Sequence, residues 1–285
     1  MKIIAWFAVL SFPILLKSQP TGKSIKKWER FEVMLNGTSK GNPYTEVQLS
    51  AIFTKGNLSI KVNGFYDGNG IYKLRFMPTE EGDWEYITYS NNKQLNRQKG
   101  NFKCIAVSPP NHGPVQVWNT YNFRYADGKL YYPFGTTVYA WTHQGQALQD
   151  ETLQTLKASP FNKLRFCVFP KTYSYVEHEP ESYAYETNST SKAADGSVKH
   201  VFNFTKFNPT FFAALEKRID DLKTAGIEAD LIIFHPYDKG RWGFDSMGKQ
   251  NDLLYIKYLT ARLSSFRNIW WSMANEFDYI KSKPP

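Results

Sequence analysis

The sequence predicts a multidomain chain: an immunoglobulin-like β-sandwich followed by a parallel α/β unit that has the form of the first half of a (β/α)8 TIM barrel. Three observations predict it. Before residue 107, apolar and polar residues alternate in short segments with a period of two. After residue 135, apolar segments alternate with helical patterns. Each of those later apolar segments ends in polar or aromatic residues.

The first element is not part of either unit. Lys2 precedes an apolar run from Ile3 to Leu16, and Lys17, Ser18 and Gln19 follow it. A short apolar stretch behind one positive charge reads as a signal peptide, assigned to residues 1–18. It is short for a membrane span, and no later stretch is long and apolar enough to span. No cysteine precedes Cys104, so a lipid-modified cysteine after the signal is excluded, and the expected location is secreted or periplasmic.

Residues 20–107 are assigned to the sandwich. Its clearest strands are 46–53, 58–66, 71–77, 84–90 and 101–107. In the third, Tyr72, Leu74 and Phe76 face one way and Lys73 and Arg75 the other, as in a half-buried antiparallel strand. Turn chemistry separates them, as at Asp67-Gly68-Asn69-Gly70. Residues 108–114 form a linker rich in proline and glycine. Residues 115–285 are assigned to the α/β unit.

That unit opens on a hairpin around Asp127-Gly128. Its second arm runs on through 132–139, and then come a helix over 150–158, a strand over 162–169 and a polar, aromatic insertion over 171–207. A helix over 208–225 stops at Gly226. A nearly all-apolar strand over 229–235, a helix over 251–266 and a strand over 268–275 complete the order. The insertion follows a strand's C-terminal end, which in an α/β barrel is the functional face.

Composition narrows the function. The chain has 285 residues, 42% of them apolar and 16% aromatic, enough for two cores. Aromatic excess suits stacking on sugar faces and equally suits an all-β core. The formal charge is +9, but its lysines and arginines are scattered, without the basic stripe or motif that nucleic-acid binding requires. Cys104 and Cys167 fall in different units, so free buried thiols are expected rather than a disulfide framework. No metal spacing, phosphate loop or nucleophile elbow appears.

The strand ends supply the candidate chemistry. Glu276 is the candidate acid/base, since a glycosidic oxygen leaves readily only when protonated. Its neighbour Asn275 could hydrogen-bond a sugar 2-hydroxyl. The bland alternative is that Asn-Glu simply follows a strand. Arg165, inside an apolar strand, needs a carboxylate partner and is expected to support the site or to bridge structural acids. Trp141, Tyr237 and Trp242 are candidate sugar platforms or rim packing, and His235 is either a substrate contact or a satisfied core histidine. His143, Tyr173 and Asp238 complete the candidate binding set, with Asp238 and Asp278 as stand-ins for a second carboxylate.

Several stretches resemble one family. Gly64-Phe65-Tyr66-Asp67-Gly68, 135–141 (GTTVYAW), 165–171 (RFCVFPK), 234–238 (FHPYD) and 270–276 (WWSMANE) resemble the apiosidase-like glycoside hydrolases of polysaccharide-degrading bacteria. That family pairs an N-terminal β-sandwich of unknown function with a (β/α)8 barrel. The resemblance implies an exported retaining glycosidase with a carbohydrate substrate and no cofactor, in which Asn275 and Glu276 match the strand-four motif. The clan's nucleophile is a glutamate after strand seven, for which this sequence has no counterpart. A C-terminally truncated enzyme is therefore expected. The alternative is a non-catalytic carbohydrate-binding or remnant protein.

Overall fold

The computed structural model describes residues 22–171, 178–192, 198–238 and 240–280. The signal assigned to residues 1–18 lies outside them. Two sheets face each other in the N-terminal part. One has the order β1-β8-β7-β3-β4, built from β1 (Ser24–Lys26), β3 (Leu49–Lys55), β4 (Leu58–Asn63), β7 (Gly82–Ser90) and β8 (Lys99–Ile105). The other is β2-β6-β5, from β2 (Phe31–Asn36), β5 (Phe65–Tyr66) and β6 (Ile71–Phe76). Phe31, Phe53, Leu74, Phe76, Trp84 and Phe102 fill the space between them.

The expected run 58–66 is two strands, β4 and β5, that belong to opposite sheets. Residues 43–46 form a short helix, α1 (Pro43–Glu46), capped by the Asn42 side chain, and not the start of a strand. In β6 the alternation holds, but both faces are covered. Tyr72, Leu74 and Phe76 face the sandwich core, and Arg75, expected on a solvated face, is 4% exposed. The reason is a second layer of structure packed on that face.

A small antiparallel sheet follows, of β9 (Val115–Trp118), β10 (Asn122–Tyr125) and β11 (Leu130–Tyr131). Then comes a four-stranded parallel sheet in chain order: β12 (Gly135–Thr137), β13 (Lys163–Cys167), β16 (Glu228–Phe234) and β17 (Ile269–Ala274). α2 (Gln146–Lys157), α3 (Pro209–Thr224) and α4 (Lys249–Leu263) connect them. α3 starts where Asn208 accepts from the Thr210 and Phe211 amides and Pro209 needs no donor. It stops at Gly226, whose φ of 73° only glycine adopts freely. β16 is buried along its whole length, as a parallel strand covered on both faces must be. The insertion contains a hairpin with no counterpart in the expected elements, β14 (Tyr185–Lys192) paired with β15 (Val198–Phe207). Its Tyr185 and Phe207 enter the α/β core.

Buried charge joins the two layers. Glu216 of α3 accepts from Arg75 Nη2 at 2.9 Å and from Arg262 Nε at 2.6 Å. Arg262 also reaches Asp67 at 2.5 Å and the Tyr258 hydroxyl at 3.0 Å. Arg75 completes the set with Glu32 at 2.7 Å. These bonds satisfy charges that burial would otherwise penalise, and they fix the sandwich against α3 and α4. Cys104 and Cys167 are free and buried. No helix among the described residues is long and apolar enough to cross a membrane.

Candidate active site

The C-terminal ends of the parallel strands gather one polar cluster. Arg165 in β13 lies opposite Asp230 in β16, its register partner. The two approach to 3.5 Å, while Lys163 reaches the same carboxylate at 2.8 Å. The acid expected to answer the lone arginine is therefore Asp230. In the sequence it stands as an acid within the apolar run 229–235. Arg165 Nη2 then donates to Ser272 Oγ at 2.9 Å and to Asn275 Oδ1 at 3.0 Å. Asn275 Nδ2 turns to two phenols, Tyr139 at 3.3 Å and Tyr237. The amide is thus held at both ends, with its oxygen on a guanidinium and its nitrogen on hydroxyls.

Glu276 follows immediately. Its backbone is left-handed, with φ 46° and ψ 51°, and it opens a short 3-10 turn over Phe277–Tyr279. A bulky non-glycine residue in that region carries strain of order 1 kcal/mol. The turn leaves the side chain exposed at the lip. Its carboxylate lies against the Tyr237 hydroxyl. Tyr237 is held protonated well above the usual phenol range, mainly by burial, with Glu276 and Tyr139 adding to it. Lys171, beyond the end of β13, sits 4.0 Å from the Tyr237 ring centroid and 4.4 Å from that of Tyr139. Burial lowers its pKa, against the opposing pull of Cys167 and Glu276. Tyr139, Lys171, Ser272 and Asp230 thus join Arg165, Tyr237, Asn275 and Glu276.

The remaining candidates do other work. Trp141 is fully buried, donates to the Gln149 carbonyl at 3.0 Å and meets Phe166 edge-on, so it offers no face to a sugar. Trp242 is 4% exposed and its indole N–H donates to Glu179 at 2.9 Å. His235 is a satisfied core histidine. Its Nδ1 accepts from the Tyr237 amide at 3.2 Å, which leaves Nε2 to donate to the Phe169 carbonyl at 3.1 Å. His143 is likewise buried and reaches the Val168 carbonyl at 3.0 Å. Burial pushes both imidazoles down to about 4, so they are neutral at pH 7.

Asp238, 1% exposed, accepts from the Trp242 and Phe244 amides, both at 2.7 Å. It braces the 238–244 loop and does not serve as a free second carboxylate. Burial raises its pKa, and the backbone donors counter that rise. Asp278 is exposed in the 3-10 turn. Tyr173 lies outside the described residues. A separate brace ties the insertion to the loop after β16. Glu179 accepts from Arg241 Nε at 2.8 Å, from Trp242 and from the Tyr183 hydroxyl. Burial alone would raise Glu179, but these donors outweigh it and hold the carboxyl below its usual range.

Residues 24–91 match the family described as "Domain of unknown function (DUF5060)". No curated protein matches the chain. Over 92% of its length the chain is similar, at 51% identity and a TM-score of 0.89, to a protein of Bacteroides vulgatus ATCC 8482 whose crystal structure is described as that of a "putative glycoside hydrolase". The match covers 51% of that protein, so the chain spans about half its length. The two share a fold across the sandwich and the parallel sheet. A glycoside hydrolase family 5 protein of the same organism matches at 16% identity and a TM-score of 0.39, over 56% of this chain and 32% of its own. An endo-1,4-β-mannanase of Rhizomucor miehei matches at 16% and 0.37, over 57% and 48%. Likenesses that low do not bear on this chain's chemistry.

Proposed function

We propose that this chain carries the acid/base half of a retaining glycoside hydrolase, exported and acting on a poly- or oligosaccharide. Its parallel strands are read as strands one to four of a (β/α)8 barrel, and its sandwich as immunoglobulin-like. The observation that carries the reading is the fixed Asn275 amide with Glu276 beside it at the lip of the fourth parallel strand. The likeness to the Bacteroides vulgatus protein supports it, and the basic-then-apolar start of the sequence supports export.

In the first step the Glu276 carboxylic acid gives its proton to the glycosidic oxygen as the C–O bond breaks. A second carboxylate forms the glycosyl-enzyme bond on the opposite face of the sugar. In the second step Glu276, now a carboxylate, takes a proton from water, and that water oxygen displaces the enzyme carboxylate. Asp230 and Asp238 are engaged by Lys163 and Arg165 and by two amides, respectively. Following the family resemblance, the nucleophile is assigned to the part of such a protein that this chain does not span. Asn275, held by Arg165 and two tyrosines, keeps one Oδ1 lone pair with which to accept from the sugar 2-hydroxyl. Arg165, Tyr139 and Tyr237 act by positioning it.

The same engagement of both acids favours one other reading, a carbohydrate-binding protein without turnover. A single comparison separates the two. Aryl-glycoside hydrolysis is measured for this chain joined to the remaining half of the Bacteroides vulgatus protein, as wild type and as Glu276→Gln, alongside sugar affinity. Loss of a general acid lowers the rate by about 10²–10⁴-fold. A variant as fast as the wild type ends the acid/base assignment. A wild type that binds sugar and never turns over, with the same affinity in Glu276→Gln, establishes the binding reading.

A further inference from the structure

Between the sandwich and α4 lies a hollow of about 510 Å³ that shares no lining residue with the cluster around Glu276. That volume is ordinary for a small-molecule site. Its floor is aromatic: Tyr44 meets Tyr66 and Tyr258 edge-on at 5.0 and 5.7 Å. Its walls come from both layers. Gln48, Lys61 and Asn63 stand on the β3–β4 side, and Gln250 and Lys257 on α4. Among the described residues, neither lysine makes an ion pair. The three amide side chains make no hydrogen bond there, and no aspartate or glutamate lines the hollow. The neighbouring hollow, across Tyr44, is different, since Asp67 and Glu186 line it.

Primary amides match sugar hydroxyls, which both donate and accept, and two unpaired ammonium groups match a carboxylate. The walls are also held apart at a fixed distance. The Glu216–Arg262–Asp67 bonds lock α4 to the sandwich, and the Tyr258 hydroxyl donates to the Tyr66 carbonyl at 3.0 Å under the floor. A cleft set in advance loses little freedom when a ligand enters.

We propose that this seam is a second, non-catalytic saccharide site, selective for an acidic sugar unit such as a uronate. The inference rests on the reading of the protein as acting on polysaccharide, but it concerns a different surface. Lys61 and Lys257 hold the carboxylate, and Gln48, Asn63 and Gln250 hold the ring hydroxyls. Its effect is to retain an acidic chain on the protein apart from the bond being cleaved.

Calorimetric titration of the chain carrying Glu276→Gln with a galacturonate trimer, and with the matching galactose trimer, tests it. The acidic trimer binds more tightly, and added salt weakens it. Lys61→Ala with Lys257→Ala costs about tenfold in affinity or more, the loss of one charge-assisted hydrogen bond, while Arg165→Ala changes nothing. Both lysines are exposed, so an unchanged melting temperature accompanies the loss. If the acidic trimer binds equally well without the lysines, or does not bind, the seam site is wrong. Binding lost in Arg165→Ala instead places the sugar at the strand lip, which overturns this inference and leaves the hydrolase reading intact. Equal binding of the neutral trimer, or displacement by inorganic phosphate at matched ionic strength, overturns the acidic-sugar assignment.

Discussion

At the seam, Glu216 is met by two guanidiniums, and its neighbour Arg262 is met by two carboxylates and a phenol. At the lip of the parallel strands, Glu276 stands exposed on a left-handed backbone, beside a tyrosine pair crossed by a lysine. Both regions are rich in charge. The first spends it on closing the structure, with each buried group answered. The second fixes one amide rigidly and leaves the adjacent carboxyl open. The contrast teaches that charge alone does not mark a site. Under the proposed function, what marks the lip is a rigidly held polar group beside a carboxyl that solvent can reach.

The strongest way to break the comparison is to remove a seam charge. Arg262→Met leaves buried Glu216 and half-buried Asp67 each short of a partner, and should lower the unfolding free energy by about 3 kcal/mol. Denaturant titration at constant slope measures it. A loss below about 1 kcal/mol would mean the seam is not the fastening described.

A second buried glutamate sharpens the contrast. Glu228, at the N-terminal end of β16, is 5% exposed and accepts from the Trp270 indole at 3.1 Å, with no guanidinium clamp like that on Glu216. Burial raises its pKa to about 7, partly offset by Trp270, Arg267 and Lys163. The folded state therefore holds this proton more tightly than the unfolded chain. The stability it contributes is full below about pH 4.5 and is lost as pH rises through 7. Glu228→Gln, which is neutral throughout, should be more stable than the wild type above pH 7 by on the order of 1–3 kcal/mol. That advantage should vanish near pH 4.5. His143 and His235 are common to both proteins and cancel in the difference. An advantage independent of pH would show that Glu228 does not titrate in this window.

The smallest effect tests the lip itself. Glu276→Gly relieves the left-handed strain but adds glycine's chain entropy, so it should be neutral to about 1 kcal/mol stabilising. Thermal unfolding at pH 7 reads it. Clear destabilisation would mean the side chain holds the turn together and is not simply carried by it.

Much of this was legible in the sequence. The period of two, the turns and the β-α alternation located most strands and helices to within a few residues. Arg165 inside an apolar strand signalled a carboxylate partner, and the structure supplies Asp230. The hairpin over Tyr185–Phe207 was not legible, because its two arms alternate poorly and are shifted in register. Nor was the fate of the aromatic and histidine candidates, since Trp141 and Trp242 look identical in sequence to exposed platforms.

The sequence by itself determined most of the strands and helices, because spacing and capping act over a few neighbouring residues. It determined also that Asn275 and Glu276 end the last parallel strand. The tertiary structure alone decided that Arg75 is buried, that His235 has both nitrogens engaged, that Asp238 braces a loop and that Arg165 grips Asn275. The physical reason is that burial and hydrogen-bond partners belong to whatever covers a residue. For Arg75 one such group, the Arg262 carbonyl, lies 187 residues away.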